Sequence, residues 1–129
     1  MKDIKTYLRR DIMNEFHISR RVIEGYEEIG LVKATLKNSM GTYLYDEKAF
    51  KRIGFIRLCQ KMGFKVKEIK EFIDKPNEEV KKKLNLQAEE IRRSIKTKNQ
   101  LLKITCTLAS SENPKESNKI FEIFKEENI

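Results

Sequence analysis

The sequence predicts a mainly α-helical protein with one small β-hairpin and one long helix near its C-terminus. Three observations lead to this prediction. Apolar residues recur at helical spacing over most of the chain, β-favouring residues cluster in residues 31–45, and residues 80–109 contain neither proline nor glycine. With 129 residues, of which 39% are hydrophobic and 37% charged, the chain can build a small core, and a partner subunit would enlarge it.

Two short helices joined by a tight turn come first, one over residues 7–16 and one that starts after Ser19. Their apolar faces comprise Leu8, Ile12 and Phe16 in the first helix and Val22, Ile23, Tyr26 and Ile29 in the second. Ser19 is a favoured N-cap, and Gly30 is placed to end the second helix. His17 lies in the turn, where a left-handed residue is needed, so the spacing is that of a helix-turn-helix.

A hairpin is predicted next. Residues 31–35 and 42–45 favour strands, and the polar residues 38–41 between them favour a turn. The sequence therefore predicts a β-hairpin, or wing, with the cation of Lys37 at its tip.

A third helix is predicted from Asp46, a favoured N-cap, to about Met62, and Gly63 is placed to end it. Its inward face is predicted to comprise Phe50, Ile53, Ile56, Leu58 and Cys59. A shorter helix is predicted over residues 65–73.

The long helix starts near Pro76, which suits a first helical turn. Its apolar residues follow a near-heptad stripe, which we assign to dimerisation: Val80, Leu84, Ala88, Ile91, Ile95, Leu102 and Leu108. Lys98 and Thr105 interrupt the stripe. A helix of about 30 residues cannot bury one stripe against itself, so a second copy of the chain is the simplest partner. Folding back onto its own domain is the alternative.

The rest of the chain is a polar linker over residues 110–115 and an amphipathic piece over residues 120–124. This piece could cover its own core or the partner chain. The predicted organisation is a first domain over residues 1–75, a long dimerisation helix over residues 76–110, and a short linker with a C-terminal helix over residues 111–129.

The positive charge is concentrated in the first domain. Residues 1–75 carry 17 basic and 11 acidic groups, residues 76–129 carry 11 and 9, and the net charge is +8 with a pI near 9.5. A basic N-terminal part is expected of a protein that binds a polyanion. Ordinary solubility would account for the charge equally well.

The sequence offers little for catalysis or for a metal. His17 is the sole histidine, it lies at a predicted turn, and no nearby cysteine or serine forms a nucleophile pair with it. Cys59 and Cys106 are too far apart to suggest a disulfide framework or a closed zinc site. We therefore predict no enzyme activity, no cofactor and no metal. Without an apolar leader or a run of eighteen apolar residues, a cytoplasmic protein is expected.

DNA binding has better support. Arg20 and Arg21 project from the start of the second helix, where a helix in the major groove reaches base edges. Ser19 and the first amides of that helix can take a phosphate. Lys37 and Tyr43 of the wing would then lie on the flanking backbone. Two solvated arginines are the plainer alternative.

Four short segments occur in a fixed order between residues 7 and 75. They read Y-E-E-I-G-L at 26–31, L-Y-D-E at 44–47, F-I-R at 55–57, and M-G-F followed by K-E-I within 62–69. Each segment is weak alone, but their order and spacing together resemble the MerR family of transcription regulators.

The resemblance implies a winged helix-turn-helix DNA-binding domain and an antiparallel coiled-coil homodimer. It also implies a pseudo-palindromic promoter of double-stranded DNA, whose overlong spacer the dimer bends and untwists so that RNA polymerase engages both promoter elements. An effector usually shifts the equilibrium between two dimer conformations. In one of them the bound DNA is deformed, which costs free energy.

Two departures from the family pattern bear on the contact residues. The family often has R-Y-Y where residues 24–26 read E-G-Y, so the implied phosphate contact falls to Tyr26 alone. Glu24 would repel phosphate but could accept a hydrogen bond from a cytosine amino group. The wing reads G-T-Y-L-Y at 41–45 and lacks the family's arginine. Arg20, Arg21 and Lys37 should therefore contribute more of the DNA binding.

The effector stays open. Metal-sensing relatives place paired cysteines at and after the end of the long helix, where only Cys106 stands, and drug-sensing relatives carry a large C-terminal domain. An unknown small apolar molecule, or no ligand at all, fits this chain better. Two other functions also stay open: a non-specific nucleic-acid-binding protein, and a protein–protein adaptor that kept the fold.

Overall fold

The computed structural model describes residues 5–127, which form six α-helices and a three-stranded antiparallel sheet. The elements in chain order are β1 (Thr6–Tyr7), α1 (Arg9–Phe16), α2 (Arg20–Glu28), β2 (Leu36–Lys37), β3 (Tyr43–Asp46), α3 (Glu47–Met62), α4 (Val66–Phe72), α5 (Asn77–Ala109) and α6 (Lys119–Glu126). The strand order in the sheet is β1-β3-β2. The chain divides into two compact units between Val80 and Lys81, a boundary that lies within α5.

The predicted helix-turn-helix is confirmed in α1 and α2. His17 ends α1 in the left-handed conformation, with φ 53°, and its backbone N–H donates to the Met13 carbonyl. Ser19 caps α2, because its Oγ accepts a hydrogen bond of 3.2 Å from the Val22 N–H. A turn of three residues therefore separates the two helices.

The start of α1 differs from the prediction. Tyr7, predicted to be helical, belongs to β1 and pairs with Tyr45 of β3. The Asp11 carboxylate accepts a hydrogen bond of 2.8 Å from the Leu8 N–H, so Leu8 is the N-cap and the helix begins at Arg9. Pairing with a strand distant in sequence thus overrides the helical spacing of the apolar residues.

The wing is shorter and starts later than predicted. Leu36 pairs with Leu44 and Lys37 with Tyr43, while Asn38 closes the turn by accepting hydrogen bonds from two backbone N–H groups. Residues 31–35 do not form a strand. The backbone at 31–32 instead donates to the Tyr26 carbonyl and closes the end of α2, which buries both apolar side chains there.

The helix α3 begins and ends as predicted. Asp46 accepts a hydrogen bond of 2.8 Å from the Ala49 N–H, and Gly63 adopts a φ of 108°. Of its predicted inward residues, Ile53, Ile56 and Cys59 are buried and Phe50 is half-buried. The prediction for Leu58 is wrong: it is 56% exposed, because two residues along a helix turn the side chain by about 200° from Ile56.

The core of the N-terminal unit lies where α1 to α4 meet β3. Its buried hydrophobic residues are Ile12, Ile18, Ile23, Tyr26, Leu31, Val32, Tyr45, Ile53, Ile56, Cys59, Phe64, Ile69 and Phe72. No polar or charged residue is buried among residues 5–127. This core holds the turn at residues 17–19, α2 and the wing in place, while the start of α2 stays exposed to solvent.

The helix α5 begins just after Pro76, whose carbonyl accepts from the N–H groups of Glu79 and Val80, so the proline precedes the first turn. No side chain of this 33-residue helix is buried. Within the C-terminal unit, Ile104 and Ile123 line a groove between α5 and α6. The outer residues Phe121 and Phe124 of α6 are 74% and 69% exposed. One face of α6 thus covers its own chain and the other stays open.

Candidate DNA interface

Two arginines project from the start of α2. Arg20 and Arg21 are exposed, and Arg21 has no hydrogen-bond or ion-pair partner among residues 5–127. The first turn of α2 contains no acidic residue. Two cations at the positive end of a helix repel one another and the helix dipole, and a phosphate or another anion would relieve that repulsion.

Glu24 lies one turn along α2 and is half-exposed. Its Oε1 accepts a hydrogen bond of 2.8 Å from Arg20 Nε, and it lies 3.6 Å from an Nη of Arg9. The carboxylate is thus placed between two guanidinium groups. This pairing offsets the repulsion that Glu24 would otherwise exert on a phosphate. The sequence did not reveal that Glu24 pairs with Arg20 and Arg9.

Arg9 of α1 joins three elements of this face. Its second Nη donates to Glu27 of α2 at 2.8 Å, and its Nε donates to the Tyr45 hydroxyl of β3 at 3.1 Å. The Tyr45 hydroxyl in turn donates to the same Glu27 oxygen at 2.8 Å. Burial lowers the pKa of Arg9, but its hydrogen bonds to Tyr45 and Glu27 outweigh burial and leave the pKa raised. Arg9 is therefore a fixed cation.

Sequence reasoning missed Arg9 as part of this face. A usable signal was present, because Arg9 and Arg10 occupy the first turn of α1, where the helix dipole disfavours cations. A basic pair at such a position calls for another explanation, and the fold provides one by placing Arg9 beside Glu24 of α2 and Tyr43 of the wing.

The wing contributes a cation and an aromatic ring. Tyr43 is exposed, and its ring centre lies 5.1 Å from Lys37 Nζ and 4.9 Å from the Arg9 guanidinium. A groove of about 520 Å³ lies between the start of α1, Arg20 and wing residues 41–43, and its charged side chains are all arginines. The structure thus brings α1, α2 and the wing together around positive charge.

The phosphate contact implied for Tyr26 stays a prediction, and the structure places this side chain in the core. Tyr26 is 3% exposed and its hydroxyl donates to Gln60 of α3. It lies three residues after the buried Ile23 and so shares its inward face. Burial raises the pKa of Tyr26, and the charge of Arg57 opposes that effect. Gly25 faces open space instead, since a Cβ there would meet no atom within 4 Å.

The predicted dimerisation stripe is only partly covered within residues 5–127. Ile91, Ile95 and Leu102 are exposed, and Ile95 reaches 54%. The other members are half-buried: Val80, Leu84, Ala88 and Leu108. Leu86 and Leu101, outside the predicted stripe, are exposed as well. The structure describes one copy, so the role of this surface stays a prediction.

Comparison with known families identifies the chain. Residues 7–75 match the MerR HTH family regulatory protein model, and residues 50–103 match the model described as MerR, DNA binding. The chain belongs to the MerR family. Members of this family are DNA-binding transcription regulators and not enzymes. No curated protein sequence matches this MerR family chain.

Solved structures share the MerR fold at low identity. HiNmlR, a MerR family regulator lacking the sensor domain and bound to promoter DNA, is 19% identical with a TM-score of 0.65 over 77% of this chain and 80% of that one. A MerR family regulator from Bacillus cereus is 20% identical with a TM-score of 0.57 over 93% of both chains. The N-terminus of MtaN, the Bacillus subtilis multidrug transporter activator, is 24% identical with a TM-score of 0.65 over 81% of this chain and 99% of that one.

Among residues 5–127, no three His, Cys, Asp or Glu side chains form a group that could hold a metal ion. No helix in the same range combines the length and hydrophobicity of a membrane span. Cys59 is buried, where desolvation raises the pKa of its thiol, and Cys106 is exposed.

Proposed function

We propose that this MerR family protein binds promoter DNA as a homodimer and controls transcription by distorting that DNA. The observation that carries the proposal is the exposed pair Arg20 and Arg21 at the capped start of α2, beside a basic wing. The relative HiNmlR, whose structure contains promoter DNA, supports the DNA part of the proposal through the shared fold.

The recognition helix is α2. Its N-terminal arginines enter the major groove, where a guanidinium can bind guanine with two hydrogen bonds or hold a phosphate. The Ser19 hydroxyl continues to accept its hydrogen bond from the Val22 N–H, so Ser19 positions the helix and does not contact a base. Lys37 and Tyr43 contact the DNA backbone beside the major groove. Glu24 pairs with Arg20 and so modulates the contact of that arginine with DNA.

Dimerisation occurs through α5. A helix of 33 residues spans about 50 Å, and three residues of its apolar stripe, Ile91, Ile95 and Leu102, are exposed in the described chain. Antiparallel pairing of two such helices would bury both stripes at once. In this arrangement residues 1–75 bind DNA, residues 76–110 dimerise, and residues 111–129 form the C-terminal linker and helix.

A rigid dimer distorts a duplex whose half-sites do not match its own spacing. Bending a DNA site of about 20–30 base pairs costs roughly 1–6 kcal/mol, and the protein–DNA contacts must offset this cost. RNA polymerase is the partner that responds to the altered spacer. A small-molecule effector would act by binding one dimer shape more tightly than the other.

The test uses duplex DNA from upstream of the protein's own gene and a random duplex of the same length. The wild-type protein should prefer the upstream duplex at fixed salt, and its bound form should migrate as a bent fragment in a circular-permutation assay. Arg20→Ala should weaken binding to the upstream duplex by about 1–3 kcal/mol if Arg20 reads a base. Arg93→Ala, an exposed arginine of α5 with its own ion pair, is the matched control and should bind like the wild type.

The alternatives predict different results. Equal affinity for both duplexes would identify a non-specific nucleic-acid-binding protein, since charge alone gives no sequence preference at fixed salt. Absence of binding to either duplex would favour an adaptor that kept the fold.

A further inference from the structure

We propose that the groove between α1, the start of α2 and the wing is a phosphodiester-binding site formed by Arg9, Arg10 and Arg20. We further propose that Glu24 competes with the phosphate for two of these arginines. This inference rests on the proposed DNA binding and adds contacts from α1, which neither the sequence pattern nor the family match assigns. Arg9, Arg10 and Arg20 line the groove together with no acidic residue, although the Glu24 carboxylate lies within 3.6 Å of Arg9 and 2.8 Å of Arg20.

Arg10 is the free cation of the site. It is exposed and has no hydrogen-bond or ion-pair partner among residues 5–127. It occupies the second position of α1, where the partial positive charge of the helix end repels it. An anion in the groove would remove that repulsion, and Arg10 would break no bond of its own to bind it.

Arg9 is the fixed cation of the site. Two of its three nitrogens are bonded, to Tyr45 and to Glu27. The third, which faces Glu24 at 3.6 Å, makes no hydrogen bond and remains available as a donor. Because the other two bonds hold the guanidinium in place, Arg9 loses little side-chain entropy when a phosphate binds.

Arg20 is the cation for which Glu24 and the phosphate compete. Its Nε donates to Glu24 at 2.8 Å, and both side chains are largely exposed. Exposed ion pairs of this kind are worth only about 0.2–1 kcal/mol, so a phosphate can replace Glu24. Glu24 therefore lowers the affinity for any duplex and keeps Arg20 extended along α2 until DNA arrives.

The position of the groove favours a nucleic-acid backbone as the ligand. A duplex with α2 in its major groove and the wing on its flank places phosphates between the two elements. The groove opens between these same elements, beside the exposed ring of Tyr43. The chemistry is that of a phosphodiester, so free inorganic phosphate is the competing source of the same anion.

The first experiment measures the affinity of full-length protein for the upstream and random duplexes over a range of salt. Arg10→Ala should weaken both by the same factor, roughly tenfold, and reduce the slope of log K against log salt by about 1. Glu24→Gln should strengthen both. Arg93→Ala serves again as the control and should leave the slope unchanged.

An unchanged slope and affinity in Arg10→Ala, with Arg20→Ala still impaired, would overturn the groove site and leave the proposed function standing. No binding of either duplex by the wild type would overturn both. A loss confined to the upstream duplex would make Arg10 a base contact and likewise overturn the phosphodiester assignment.

A second experiment identifies the source of the phosphate. The side-chain Nε signals of Arg9 and Arg20 are followed by NMR as duplex or inorganic phosphate is added at constant ionic strength. Shifts with duplex at stoichiometric amounts support the backbone site. Shifts with inorganic phosphate alone would assign the groove to a free anion and contradict the proposal.

Discussion

Gly25 shows how a single residue departs from what its element prefers. It lies inside α2, where glycine is less favourable than alanine by about 0.5–1 kcal/mol, and a Cβ at this position would meet nothing within 4 Å. Gly54 of α3 is the opposite case, because a Cβ there would lie 2.6 Å from the ring of Phe16. Packing within the chain thus requires the glycine of α3 but not the glycine of α2.

We therefore expect Gly25→Ala to raise the free energy of unfolding by about 0.5–1 kcal/mol, as measured by urea denaturation. Gly54→Ala is the comparison and should lower it by about 1–3 kcal/mol, since the Phe16 ring, which packs against Phe50, must shift to make room for the new methyl group. A destabilised Gly25→Ala protein would mean that the space beside α2 is not open.

Tyr45 presents a second residue-scale prediction. Its ring is fully buried while its hydroxyl links Arg9 to Glu27, and burial raises the pKa of that hydroxyl although Arg9 opposes it. Tyr45→Phe should cost about 1 kcal/mol of stability in thermal unfolding. Because it loosens Arg9, it should also weaken binding to both duplexes. Tyr7→Phe is the control for removing a hydroxyl from the same sheet.

At the scale of elements, the link between α3 and the segments around it depends on Arg52. Its Nε donates to the Leu31 carbonyl at 2.7 Å, and its two Nη atoms donate to Asp74 at 2.7 and 3.2 Å. One side chain thus ties the chain after α2 and the chain after α4 to α3. Lys51, its neighbour, makes only an exposed ion pair with Glu47.

Arg52→Met should lower the free energy of unfolding by about 1–2 kcal/mol, whereas Lys51→Met should change it by less than about 0.5 kcal/mol. The hydrogen bond from Arg52 lowers the pKa of Asp74 below its ordinary value. The pair therefore stabilises the fold at neutral pH and loses its contribution as the pH falls through that lowered pKa. Asp74 is exposed, so the acid effect should be small. Equal losses in the two variants would contradict the assigned role of Arg52.

At the scale of the whole molecule, the proposed dimer is the central prediction. The stripe on α5 exposes Ile91 and Ile95 in one copy of the chain, and these positions tolerate charge only if no second copy covers them. Ile91→Asp combined with Ile95→Asp should give monomers in sedimentation equilibrium and weaken binding to a palindromic duplex. Lys96→Asp, on the same helix outside the stripe, is the control. Intact dimers in the double variant would contradict the coiled coil.

The sequence by itself determined the local choices of this protein. The left-handed turn at His17, the caps at Ser19 and Asp46 and the stop at Gly63 follow from short-range sterics and hydrogen bonds, so residue type and spacing were sufficient. The fold class followed from periodicity for the same reason, while the boundary at Tyr7 did not, because it depends on pairing with β3.

Only the tertiary structure decided which side chains face the proposed DNA. Tyr26 is turned inward to Gln60, which lies 34 residues further along the chain, and Arg9 is held by Glu27 and Tyr45, 18 and 36 residues away. Contacts at such separations depend on how α1, α2, α3 and the wing pack together, and no local pattern encodes that packing. The arginine groove exists because that packing brings together residues whose spacing along the chain gave no reason to connect them.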